Sequence, residues 1–114
     1  MMPRAPPYTI PGRTTAVIVE YAPPQERIGH LIEAVQELHS QAVLNRGQAN
    51  SLVSKLENAV RSLNAGRTGP AVNQINAFIH ELRSLLAQGR VSQAQAQPLI
   101  EAAKDIIWQI ENGM

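Results

Sequence analysis

Cysteine is absent from the 114 residues. The chain therefore has no disulfide framework, no thiolate metal site and no cysteine nucleophile, and its redox compartment is left open. Aromatic residues make up 4% of the sequence, so a core must be built from Leu, Ile, Val and Ala. Neither sign of charge dominates. The formal net charge is +1, and the eight Arg and two Lys are scattered along the chain. Nucleic-acid binding, which draws on a basic stripe, is not expected. No apolar run approaches the roughly eighteen residues of a membrane span. The N-terminal MMPRAPPYTIPG lacks the apolar h-region of a signal peptide, so the signal of an exported protein would lie upstream. What is present is 44% hydrophobic and 17% charged, the composition of one globular domain rather than of a disordered segment. A chain of this length can bury a modest core without crosslinks.

From Gln25 onward the apolar residues recur at spacings of three and four, which suits amphipathic helices. Ile28, Leu31, Ile32, Val35 and Leu38 form one stripe, and Leu52, Leu56, Val60 and Leu63 a second. Val72, Ile75, Ile79, Leu82, Leu85 and Leu86 form a third, and Leu99, Ala103, Ile106, Ile107 and Ile110 a fourth. Pro23-Pro24 ends any extended structure and can open the first helix, because proline suits the first helical position. Asn45 with Gln48, and Ser92 with Gln95, have the spacing of a capping box. Gly66 and Gly89 stand where a left-handed residue would close helices two and three. Thr68 offers a cap ahead of Pro70. Pro98 falls about six residues into the fourth helix, where its missing donor predicts a kink or a later start.

The second half echoes the first at an offset of 47 residues. Ile28 falls on Ile75, Ile32 on Ile79, Asn45 on Ser92, Gln48 on Gln95, Leu52 on Leu99, and Gly66 on Gly113. Each unit reads as an αα-hairpin with one apolar face that it cannot bury alone, and two units packed together make a four-helix domain. His39 opposite Leu86, and Ala42 opposite Gly89, depart from the repeat and predict a different loop and a wetter edge in the first hairpin. The expected fold is all-α, a four-helix domain of two repeated αα-hairpins over residues 24–114, with an extended N-terminal arm over residues 1–23.

Within that arm, Tyr8 to Glu20 reads as a β-strand. Thr14, Thr15, Val17, Ile18 and Val19 are β-branched, with Ala16 the exception, which suits a pleated surface. A strand needs a neighbour for its N–H and C=O groups, and no second strand of similar quality follows. The segment therefore reads as the last strand of a sheet that lies elsewhere, or as a strand available for pairing with a partner or a second copy.

The residues that could carry chemistry read as helix surface. Glu33 with Glu37, and Glu101 with Asp105, share a face of one helix rather than facing across a sugar as a glycosidase pair must. Glu57 with Arg61, and Glu101 with Lys104, read as surface pairs. His30, His39 and His80 have no histidine partner at the spacing of a helical metal site. No serine sits in a nucleophile elbow and no glycine-rich phosphate loop occurs. No cofactor, metal or catalytic residue is expected. Trp108 is the lone tryptophan. Packing at the end of the bundle is its first reading, and stacking on a sugar ring its second.

Two stretches resemble known families. Phe78-Ile79 with His80-Glu81-Leu82, then LLAQGRVSQAQAQPLIEAAKDIIWQI from Leu85 to Ile110, and LNRGQANSLVSKLENAVRSLNAG from Leu44 to Gly66, resemble the FIMAH domain, with the likeness running over residues 25–113. Of the motif that names the family Phe78-Ile79 is kept, and Pro98 is atypical. The resemblance implies a small helical module from near the C-terminus of a bacterial exported or surface protein, without catalytic residues. YTIPGRTTAVIVE, residues 8–20, resembles the end of the C-terminal β-domain of pullulanase-type α-1,6-glucosidases, through Pro11, Arg13, Thr14, Thr15, Ala16, Val17 and Val19. That likeness implies a parent glycoside hydrolase acting on α-glucans, with its barrel and both carboxylates upstream. Together they lead to an expectation of a non-catalytic C-terminal accessory module or fragment of such an enzyme, extracellular or at the cell surface. Its partners would be the preceding β-domain and an α-glucan. The alternative is a free-standing interaction or surface-tethering module.

Overall fold

The computed structural model describes residues 22–112. The arm's Thr14 to Val19 and the repeat glycine Gly113 lie outside them. Four helices run in order: α1 over Pro24–Ser40, α2 over Arg46–Asn64, α3 over Thr68–Ala87 and α4 over Gln93–Glu111. No strand occurs among the described residues. Each helix packs on the one before it, α4 closes back on α1, and no Cα atoms approach within 8 Å across either diagonal. Cross-links between the start of one helix and the end of its neighbour make the neighbours antiparallel. Gln25 Nε2 donates to Asn64 Oδ1 (3.3 Å), Ser51 Oγ donates to Glu81 Oε1 (2.9 Å), and Arg27 Nη2 reaches Asp105 Oδ2 (3.4 Å). The protein is thus an all-α, up-down-up-down four-helix bundle.

The helix ends follow local chemistry. Pro23 is extended (φ −64°, ψ 153°) and Pro24 takes the first helical position of α1, where its missing N–H has no partner to lose. Both capping boxes form. Gln48 N–H donates to Asn45 Oδ1 (2.8 Å) while Asn45 N–H donates to Gln48 Oε1 (3.0 Å). Gln95 N–H donates to Ser92 Oγ (3.1 Å) and Ser92 N–H to Gln95 Oε1 (2.9 Å). At the start of α3 the reading differs. Arg67 is the cap, its side chain makes no capping bond, and Thr68 is already helical. Pro70 then stands among the first four residues, whose N–H groups lack helical acceptors in any case.

Helices α1, α2 and α3 end in the same way. Ala42, Gly66 and Gly89 have φ of 66°, 77° and 75°. In each case the residue after the left-handed one donates back to the carbonyl five positions earlier: Val43 to Leu38 (2.9 Å), Arg67 to Ser62 (2.8 Å) and Arg90 to Leu85 (2.9 Å). These are Schellman motifs. The loop after α1 therefore shares its turn with the loop after α3 and differs from it only in detail: Leu44 N–H also reaches the Leu38 carbonyl (3.3 Å). Ala42 takes the backbone conformation of Gly89 in spite of its Cβ, because the same two hydrogen bonds and a buried aliphatic, Leu44 or Val91, hold each loop. The wetter edge is there: His39 is exposed and its Nδ1 lies 3.0 Å from the Leu44 carbonyl oxygen.

Pro98 neither delays nor divides α4, which starts at Gln93 and runs through it. The carbonyl it leaves without a donor is that of Ala94. Both residues are exposed, so water can take the lost hydrogen bond.

The core lines the inside of the ring. Ile28, Val35, Leu52, Leu56, Ile75, Phe78 and Leu82 are each 0% exposed. The alanines Ala59, Ala71, Ala96 and Ala103 are equally buried. Val60, Leu63, Val72, Leu86 and Ile107 flank this core half-buried. No polar or charged residue is buried among the described residues.

Candidate functional site

The α1–α4 seam is the loosest of the four. Its cause is visible in side-chain size. Ala34 on α1 and Ala102 on α4, each three residues after a stripe leucine (Leu31 and Leu99), are half-buried where longer side chains would fill the space between helices. They leave a groove of about 280 Å³ between Leu31, Leu99 and Ile106, with Glu26, Arg27 and His30 at one end. Ala22, where the chain approaches α1, also lines it.

A polar clamp fixes that approach. Gln109 Nε2 donates to the Ala22 carbonyl oxygen (2.8 Å), and Arg27 Nη1 donates to Gln109 Oε1 (2.8 Å). Arg27 Nη2 pairs with Asp105 at 3.4 Å, with the Asp105 carboxylate 75% exposed. Solvent screening keeps such a pair weak. Its role is to orient the guanidinium over Gln109. A second clamp joins α2 and α3: Lys55 Nζ lies 2.9 Å from Glu81 Oε1, and Ser51 bridges them.

The candidate residues fall as follows. Glu33 and Glu37 are exposed on α1, and Glu101 on α4, where it accepts from Gln97 Nε2 (2.7 Å). Glu37 accepts from Gln41 Nε2 (2.9 Å). The expected Glu57–Arg61 and Glu101–Lys104 pairs do not form. The ion pairs among the described residues are instead the two between helices, Arg27–Asp105 and Lys55–Glu81. His30, His39 and His80 are exposed on α1 and α3. No group of three or more His, Cys, Asp or Glu that could hold a metal ion occurs among the described residues.

Trp108 does not pack against the loops. It is 65% exposed, alone among the large hydrophobic side chains of the described residues. Its position explains this: Ile106 and Ile110 on either side of it point inward and are buried, so residue 108 faces out. Among the described residues, no helix is long and apolar enough to cross a membrane.

The clamps were out of reach of local pattern, since Arg27 and Asp105 lie 78 positions apart. The groove had a faint signal in the repeated Leu-x-x-Ala of Leu31–Ala34 and Leu99–Ala102.

No curated protein and no solved structure matches the chain. The family model described as FIMAH domain matches residues 28–107, which takes in parts of all four helices and leaves out the first turn of α1 and the last turn of α4. The chain belongs to the FIMAH domain family.

Proposed function

We propose that this FIMAH domain is a non-catalytic C-terminal accessory module of an exported bacterial glycoside hydrolase of the pullulanase type, cleaving α-1,6 bonds in pullulan- or glycogen-like glucans outside the cell or at its surface. The boundary between the arm, residues 1–23, and the helical domain, residues 24–114, falls at Pro23-Pro24. One observation carries the non-catalytic reading. Among the described residues every carboxylate is exposed on its own helix except Glu81, which Lys55 pairs with, so none has the buried, apolar setting that raises the pKa of a glycosidase's general acid. The glucan context is supported by the Arg13-Thr14-Thr15-Ala16-Val17 stretch and its likeness to the closing strand of those enzymes. A bundle with no catalytic residues serves such a parent by covering or stabilising the β-domain it follows, or by tethering it. The coding sequence upstream of Met1 tests this: a stretch encoding a barrel and a β-domain, in frame or cut off by an interruption, is expected.

The exposure of Trp108 favours a second role, a glucan contact through its indole face. Replacement of Trp108 by alanine should leave stability within about 0.5 kcal/mol, as at most surface positions, and lower retention on insoluble starch. Equal retention of both proteins would remove the indole from the account and leave the bundle as a spacer or tether. The alternative of a free-standing module shares the arm, which would then add a strand, Thr14 to Val19, to a partner's sheet edge.

A further inference from the structure

The α1–α4 groove opens where the chain's own arm reaches the bundle. Its volume, about 280 Å³, is at the small end of the range of ligand pockets, roughly 300–1,000 Å³. Its floor is aliphatic, from Leu31, Leu99 and Ile106, with Ala34 and Ala102 setting its depth. Ala22 lines it, and the Gln109 hydrogen bond to the Ala22 carbonyl turns the approaching chain onto α4. Twenty-one residues precede Ala22, so whatever they do, they start from the mouth of the groove. A segment tethered there has an effective concentration in the millimolar range, which a free partner has to match.

The sequence of that segment has the matching pattern. Extended chain turns alternate side chains to one face and advances roughly 3.3 Å per residue. Val17, Val19 and Tyr21 then share one apolar face, and Ile18 and Glu20 the other. Arg27 to Ala34 spans seven helical steps, roughly 10 Å at 1.5 Å each, comparable with the roughly 13 Å that residues 17–21 cover when extended. We propose that the α1–α4 groove is the seat of residues 17–21 of the same chain, with Val17, Val19 and Tyr21 turned into it and Ile18 and Glu20 turned away. The backbone edges of the strand stay free for a neighbouring sheet, so the docked arm is compatible with the parent proposed above. The inference rests only on the extended reading of the arm, and it holds or fails whatever the upstream coding sequence contains.

The absence of native cysteine makes the test direct. Four full-length variants, Val17→Cys, Ile18→Cys, Val19→Cys and Glu20→Cys, are labelled with a neutral maleimide at low and high protein concentration. Docking predicts labelling at 17 and 19 at least about tenfold slower than at 18 and 20, independent of concentration, and loss of that alternation when Ala102→Arg fills the groove. Equal rates at all four positions, whether fast or slow, overturn the proposal. Alternation that disappears on dilution assigns the groove to a second copy, and alternation that survives Ala102→Arg places the arm elsewhere; both also overturn it. If Ala102→Arg does not fold, the double variant Val19→Cys with Ala34→Cys decides. Rapid formation of an intramolecular disulfide supports the seat, and a rate no higher than that of Ile18→Cys with Ala34→Cys refutes it.

Discussion

Replacing Phe78 by alanine is expected to destabilise the bundle by about 3–5 kcal/mol, the range for large aromatic truncations in a closed core. Phe78 is the only phenylalanine in the chain and is 0% exposed in the middle of α3. Ile75, Ile79 and Leu82 surround it on its own helix, and all three are buried. The other core side chains are aliphatic, so no second aromatic can move in to fill the void. Domains of this size are stable by about 5–15 kcal/mol in total. The variant should therefore lose a large part of its margin, with the unfolding midpoint in urea falling and the slope unchanged. A cost below about 1 kcal/mol would mean that Phe78 is not enclosed by four helices.

The exchange Ala42→Gly is expected to stabilise by about 1 kcal/mol, and Gly89→Ala to destabilise by a similar amount. Both residues are left-handed, at φ 66° and 75°, in loops with the same hydrogen bonds. An L-residue there brings its Cβ against the following carbonyl, and glycine does not. Packing contributes nothing at Gly89, since a Cβ built there meets no atom within 4 Å. The two substitutions thus isolate one conformational term and read it with opposite signs. Thermal unfolding measures both. For a domain this size about 1 kcal/mol moves the midpoint by roughly 4–8 °C. A gain from Ala42→Gly without a loss from Gly89→Ala, or a loss from both, would contradict the shared loop geometry.

These two sites also show what the sequence made legible. The capping boxes at Asn45 and Ser92 were readable because the cap and its partner are three residues apart and act without help from the rest of the fold. Gly66 and Gly89 announced their turns by composition. Ala42, opposite Gly89, pointed to a different turn instead: its left-handed backbone is imposed by two hydrogen bonds to α1 and by Leu44 entering the core. Pro98 misled for a related reason. The cost of a helical proline depends on where the orphaned carbonyl points, and on α4 it points to water. The large aliphatic stripes are legible from their spacing alone, but the buried Ala49, Ala59, Ala71 and Ala96 are not, since small residues mark a close approach only once the neighbouring helix is known. The same limit hid the groove, which Ala34 and Ala102 create jointly from opposite ends of the sequence. Trp108 was identified as a candidate from its rarity, while its exposure depended on the phase of α4, set by the buried Ile106 and Ile110.

The proposal at the centre of this account is that the FIMAH domain is an accessory module of an α-glucan-cleaving enzyme. Sequencing the genomic DNA upstream of Met1 tests it most directly. The account predicts a coding stretch, in the same frame or separated from it by an interruption, that encodes a (β/α)₈ barrel with its two carboxylates and then a β-domain leading into Thr14 to Val19. A promoter directly before Met1, or an upstream reading frame for an unrelated protein, would contradict it.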